Sequence, residues 1–259
     1  MVDLIRWLRH HNVPPNDGRE VSGFVYVSDA ESGPMSSAAA GVRVGNFDDR
    51  PPWIVVDHDL ATPILAKWPG RLWQVRILQR VPQQPQTYAA YTRATAVEVI
   101  QELPLAALFE HDGAAVVDFL CSIRNLSAEA RMTLSESRDE DAARVHCEVW
   151  DRWISQVDPE SPFLGGDHGG IIAVGAKSPR SPVGNATSVL HSEVRRRARA
   201  IDGDRAFVVH EEEESLDPHW IRVAGHLHHA LFAIGCPDLL LSPSERLTLV
   251  RAYGRTCSS

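Results

Sequence analysis

Apolar and polar positions divide the chain into two halves with different periods. Over residues 1–125 the apolar residues gather in short β-branched and aromatic runs bounded by Gly, Pro or Asp: 23–28, 53–57, 71–78 and 95–100. In the third run Leu72, Val75 and Ile77 mix with Arg71, Gln74 and Arg76 in a broken alternation, which predicts a strand with one face on a core. Ahead of these runs Leu4, Ile5 and Leu8 have helical spacing. The helix they predict stops at 13–18, where two prolines lack an amide donor and Asn and Gly accept turn dihedrals. Residues 32–52 are rich in Gly, Ala, Ser and Pro with room for a short helix at 36–40, and 104–123 reads as a helix that closes this half.

From residue 126 the period becomes helical. An amphipathic helix over 144–157 would bury Val145, Val149, Trp150 and Trp153. Residues 159–182 form a loop-rich interruption, and three further helices follow: Ser181-Pro182 to about 201, Asp217-Pro218 to about 234, and Ser242 or Ser244 to about 253. Each opens on an N-cap oxygen with Pro at or near the first helical position. The reading is α+β, with two domains: a mixed α/β region of short, largely antiparallel strands over 1–125, and a mainly α-helical region over 126–259.

Composition narrows the classes. The 259 residues are 44% hydrophobic with a formal charge of −8, which disfavours a general nucleic-acid surface and fits a chain able to bury its own core. Among the 26 basic residues only Lys67 and Lys177 are lysine, a bias that coding composition accounts for. Cys121, Cys147, Cys236 and Cys257 lie far apart with no C-x-x-C pair, and so read as reduced thiols. The N-terminal residues lack an apolar signal core and no apolar stretch reaches membrane-spanning length, so the expectation is a cytoplasmic protein with no membrane or nucleic-acid partner.

Four motifs compete with plain structural explanations. Gly170 to Ser178 echoes a phosphate loop, but Ala176 separates Gly175 from Lys177 and Pro179 follows, so strand and turn is the better reading. His219, His226, His228 and His229 fall on one helix. His219 and His226 lie at the edge of its apolar face and His229 beyond it. His226 and His229 could share a metal at i, i+3 with a carboxylate from the Glu211–Glu214 loop, yet no H-E-x-x-H spacing supports this and no metal is expected. In Asp57-His58-Asp59 strand alternation would turn the two aspartates together, although a strand end explains them. Arg195, Arg196 and Arg199 read as a solvated helix face near a C-terminus, with Glu193 placed to pair with Arg197. No nucleophile elbow is present.

The order of features in the first half carries a resemblance. Gly23–Ala30, then Gly70–Ile77, then Tyr91-Thr92-Arg93-Ala94 leading into Ala96–Val99, resembles the strand succession of small ADP-ribosyltransferases of the rifampin-inactivating type. The resemblance covers about 100 residues. The family's His-Gly-Thr opening has no equivalent, and His10 or His11 is its positional substitute. The resemblance implies NAD as cofactor and a small-molecule or protein substrate. It further implies His11, Tyr26 and Arg93 on the cofactor, with Tyr91 and Glu98 as the catalytic aromatic and carboxylate. Stabilising the oxocarbenium ion left by departing nicotinamide is the reason for an acidic residue there. Two alternatives stand beside it: a non-catalytic interaction or immunity-type protein, and an unrecognised enzyme with its site in the His-rich helical half.

Overall fold

The computed structural model describes residues 22–29, 32–45, 51–60, 65, 67–82, 91–109, 111–156 and 182–256. The helix expected at 3–10, His11, the Gly170–Ser178 motif and the cap expected at Ser181 lie outside the described residues. Those described form two compact units, the first taking the residues up to Leu108 together with Gln156, the second taking Phe109–Ser155 and the residues from 182 on. The boundary expected near 126 therefore falls inside the second unit. The helix expected over 104–123 is divided between them: a 3₁₀ turn at Leu105–Leu108 belongs to the first, and a separate helix starts at Gly113 after Asp112, whose φ of 45° breaks the run. The α+β class holds, with strands first and helices after.

The first unit holds five strands: β1 (Ser22–Ser28), β2 (Arg43–Gly45), β3 (Ile54–Asp57), β4 (Gly70–Arg80) and β5 (Tyr91–Leu103). Every pairing is antiparallel, in the order β2-β5-β3-β1-β4, and β4 also pairs β5, so four strands close into a small barrel. Closure leaves those strands few open edges. It requires sharp local twist, which bulges supply: the β4–β5 register skips Leu78, Thr95 and Ile100. The skip at Thr95 lets Ala94 and Val97 both face the core, joining Val25, Val44, Ile54, Val56, Trp73, Val75 and Val99. The short helix expected at 36–40 is a 3₁₀ turn at Pro34–Ser37 that buries Met35.

The second unit is helical: α1 (Gly113–Ile123), α2 (Ala128–Glu136), α3 (Glu140–Gln156), α4 (Ala186–Asp202), α5 (Pro218–Gly235) and α6 (Pro243–Gly254), with a hairpin of β6 (Phe207–His210) and β7 (Glu213–Leu216) between α4 and α5. The Asp217 side chain accepts from the Trp220 amide, and Ser242 with Glu245 forms a capping box, so both starts read from sequence are real. α5 is the central element and packs against α1, α2, α4 and α6. Val223, Leu227, Ala230 and Leu231 are buried on it as the wheel implied, along with Trp220 and Phe232. On α3 Val145, Val149 and Trp153 are buried and Trp150 is half-buried.

One pairing differs from expectation. Glu193 lies on the inward face of α4, 2% exposed, and accepts from Arg124 Nε at 2.8 Å and Arg196 Nη2 at 2.5 Å. Arg197 instead donates to the Leu126 carbonyl at 2.7 Å. Burial turns the Glu193 carboxylate toward the guanidinium at the end of α1, away from its i+4 neighbour.

Gly70 opens β4 where that strand meets β1. A Cβ there would stand 2.2 Å from the Val27 carbonyl oxygen and 2.8 Å from the Tyr26 ring. Gly70→Ala is therefore expected to destabilise the barrel by about 2 kcal/mol or more, read as a fall in the urea midpoint followed by the fluorescence of Trp73.

Candidate functional site

The barrel places the residues singled out by the resemblance on several strands. Tyr26 sits on β1, donates its hydroxyl to the Lys67 carbonyl at 2.7 Å and stacks on Trp68 with centroids 6.3 Å apart. Tyr91 and Arg93 open β5 opposite Asp57 and Val55 of β3, and the Arg93 guanidinium lies 5.1 Å from the Trp53 ring centroid. Glu98 is further along β5, registered with Arg43 of β2 and 3.6 Å from Arg76 Nε on β4. Tyr91 and Arg93 therefore share one end of β5, while Glu98 is seven residues beyond Tyr91, roughly 20 Å along an extended strand. β1 is separated from β5 by β3 on one side and β4 on the other, so Tyr26 is not on a strand that pairs with β5. In Asp57-His58-Asp59 both aspartates are buried, and His58 Nε2 contacts Thr92 Oγ1 at 2.8 Å.

A denser gathering of chemistry lies in the helical unit. Five histidines from three helices form a chain of ring contacts in which His146 of α3 and His228 of α5 lie against Phe232, while His229 joins His146, an exposed His191 of α4 joins His228, and His226 joins His229. The His146 ring centroid is 5.1 Å from that of His228, 5.2 Å from that of His229 and 4.4 Å from that of Phe232. His191 and His228 are 5.9 Å apart, and His226 and His229 6.1 Å. Trp150 stacks on Phe232 and closes that side.

The helical period of α5 dictates this arrangement. Its apolar strip is buried on several neighbours, so the residues flanking the strip are carried inward with it. His226, expected at the edge, is only 7% exposed and donates from Nε2 to the Ser137 carbonyl at 3.1 Å. His219 stays outside, accepting from Arg222 at 3.1 Å. His146 follows buried Val145 and precedes Val149 and Trp150 on α3, which turns its ring toward α5.

Burial disfavours charge on four of these rings. Burial, followed by the proximity of His146, His191 and His229, pushes His228 down to about 3. Burial, with His146 and His226 adding and Asp139 opposing, brings His229 down to about 4. Burial also lowers His146 and His191. An uncharged imidazole has one donor and one acceptor nitrogen. His146 Nε2, His226 Nδ1, His228 Nε2 and His229 Nδ1 are buried without a hydrogen-bond partner.

The same geometry bears on metal binding. Among the described residues no three His, Cys, Asp or Glu side chains are grouped as ligands for one ion. The His226 and His229 rings, candidates at i, i+3, stand nearly perpendicular at 85°. The acidic stretch once read as a loop carboxylate source is the hairpin β6–β7, and its Glu214 is held by Arg195 and Arg199 at 2.8 and 2.5 Å. Arg195 and Arg199 on that face of α4 are accordingly paired with the hairpin, and Arg196 with Glu193, so the face is not simply solvated. His146 and His191 escaped the sequence reading because each is alone on its own helix.

No protein-family model, no curated protein and no solved structure matches the chain. Among the described residues no helix is long and apolar enough to cross a membrane.

A buried nitrogen without a partner costs about 1–3 kcal/mol, and an apolar group of similar shape avoids that cost. His228→Leu is expected to leave unfolding free energy at pH 7 unchanged or raised by about 1 kcal/mol, in contrast to the loss that follows most core substitutions. Urea denaturation at pH 7 checks it.

Proposed function

We propose that this chain is a regulatory protein whose helical unit responds to protons through the cluster of His146, His191, His228 and His229. The observation that carries the reading is the contact of His146, from α3, with His228 and His229 of α5 at 5.1 and 5.2 Å, with His146 and His228 against Phe232 and His191 of α4 5.9 Å from His228. Protonating His146 or His228 places a charge beside the other and beside Phe232, and the carboxylate that favours charge on His229, Asp139, is itself 3.7 Å from Arg251 of α6. The helices that supply the rings would separate as the charges accumulate.

The sign follows from linkage. Imidazoles held neutral in the fold become charged more readily in the unfolded chain, so the unfolded state binds more protons. The stabilisation is complete above about pH 6.5 and is lost as the pH falls from 6.5 through the values near 4 and 3 of His229 and His228. Each such histidine contributes about 1.4 kcal/mol per pH unit within its window. Carboxylates act lower. Burial alone would raise Glu245, yet hydrogen bonds from Ser242 and Arg152 bring it down to about 2, so its contribution is lost only as the pH falls from 4.5 through that value.

Acid titration of the whole chain, followed by far-UV circular dichroism, tests the proposal. Helix loss is expected to begin between about pH 6.5 and 4.5, and His146→Phe with His228→Leu should move the midpoint lower by at least half a pH unit, on the order of 1 kcal/mol. An unchanged acid profile in that variant overturns the reading, as does stoichiometric zinc or iron in the purified protein.

A second reading, an ADP-ribosyltransferase-like protein that takes NAD, is favoured by the order of β1, β4 and β5. It would need Tyr91 and Arg93 to act without Glu98, from the opposite stretch of β5. On the proton-responsive reading, calorimetric titration with millimolar NAD gives no binding heat and no nicotinamide. Release of nicotinamide that Tyr91→Ala abolishes would instead establish the transferase.

A further inference from the structure

The β6–β7 hairpin is an exposed two-stranded ribbon. Val208 and Val209 on β6 are 48% and 70% exposed, and of the hairpin's strand residues only Phe207 and Leu216 at its base are half-buried. A ribbon of two strands is marginal in water, so something must hold it. The hold is at the base. The Arg199 and Arg195 guanidiniums lie 4.1 and 5.1 Å from the Phe207 ring centroid, Glu214 bridges the same two arginines, and the Asp217 amide donates to the Ala206 carbonyl at 2.9 Å. Beyond this anchor the ribbon stands in solvent.

Its turn is also unusual. Glu211 and Glu212 have φ of 48° and 68°, left-handed values that Gly or Asn adopt more easily. A two-residue turn of this kind makes His210 and Glu213 a hydrogen-bonded pair. Val209, opposite Glu214, then directs its own N–H and C=O away from β7. On β7 the Glu214 carbonyl accepts from Arg195 Nη1 of α4 at 3.3 Å, which leaves β6 as the outward edge. That edge presents unpaired backbone groups flanked by two valines. At its tip are Glu211, Glu212 and Glu213, which make no ion pair among the described residues.

We propose that β6 is a docking edge for an extended, cationic segment of another protein, which adds as a third strand with its Lys or Arg side chains beside the glutamate tip and its apolar ones beside Val208 and Val209. Backbone pairing supplies the affinity, as in strand addition to any open sheet edge, and charge selects the occupant. The tip's own charge disfavours a second copy of this chain, whose hairpin carries the same glutamates.

The test uses the full chain and a fluorescent ten-residue peptide alternating Lys and Val, with a Lys/Pro peptide of equal charge that lacks amides at alternate positions. Anisotropy is expected to rise with the first peptide and not with the second. Val209→Pro, which removes an outward N–H, should abolish binding. Changing Glu211, Glu212 and Glu213 together to Gln should weaken it by about tenfold, about 1.4 kcal/mol, with circular dichroism unchanged. Equal binding of both peptides, binding indifferent to the Gln variant, or no binding of the Lys/Val peptide at millimolar concentration overturns the proposal. So does a concentration-dependent dimer in sedimentation that Val209→Pro dissolves, since the edge would then serve a second copy.

Discussion

Burial of α5 is the constraint on which the helical unit depends. With Trp220, Val223, Leu227, Leu231 and Phe232 at or near zero exposure, this helix has neighbours around most of its circumference. Each such side chain contributes about 1.5–3 kcal/mol when fully buried, so α1, α2, α4 and α6 have little freedom to leave it. The same burial removes water from whatever else lies on the helix. His226, His228 and His229 are carried inward by the residues between them, and the loss of water disfavours charge on the rings of His228 and His229.

A comparable constraint governs the barrel. β5 must pair with β3 and β2 along one edge and with β4 along the other, which a flat thirteen-residue strand cannot do. The skipped residues Thr95 and Ile100 bend it. The consequence for chemistry is direct: a strand long enough to close the barrel also spreads Tyr91, Arg93 and Glu98 along its length instead of gathering them in one cleft.

What was legible in the sequence follows from locality. Asp217-Pro218 and Ser242-Pro243 announced helix starts because a cap and a fixed φ act within three residues. The strand runs were visible because Val, Ile and Trp crowd them, although β2, with only Val44 buried, left too little signal. α2 was missed despite the Ser127 cap, because its apolar positions are few and Met132 faces solvent. The β6–β7 hairpin was hidden by a Glu-Glu turn without the Gly or Asn that marks such turns. The histidine cluster was half-visible. Three members share α5 and could be placed on a wheel, but their partners on α3 and α4 are brought in only by tertiary packing. The i, i+3 pairing of His226 with His229 proved less important than the contacts both make beyond their own helix.

Local and global requirements agree over most of the helical unit and conflict at the centre of this cluster. Leucine at 146, 228 or 229 would fill similar space beside Phe232 without leaving a nitrogen unpaired, and stability alone would favour it. Glu193 shows how the same unit treats a buried polar group that serves packing: two guanidiniums satisfy it. The histidines have no such arrangement. Their nitrogens are left available and their charge suppressed, so the energetic penalty is small near neutral pH and grows as protons become available. A core that only needed to be stable has no use for that dependence, whereas one that must loosen on a chemical signal requires it.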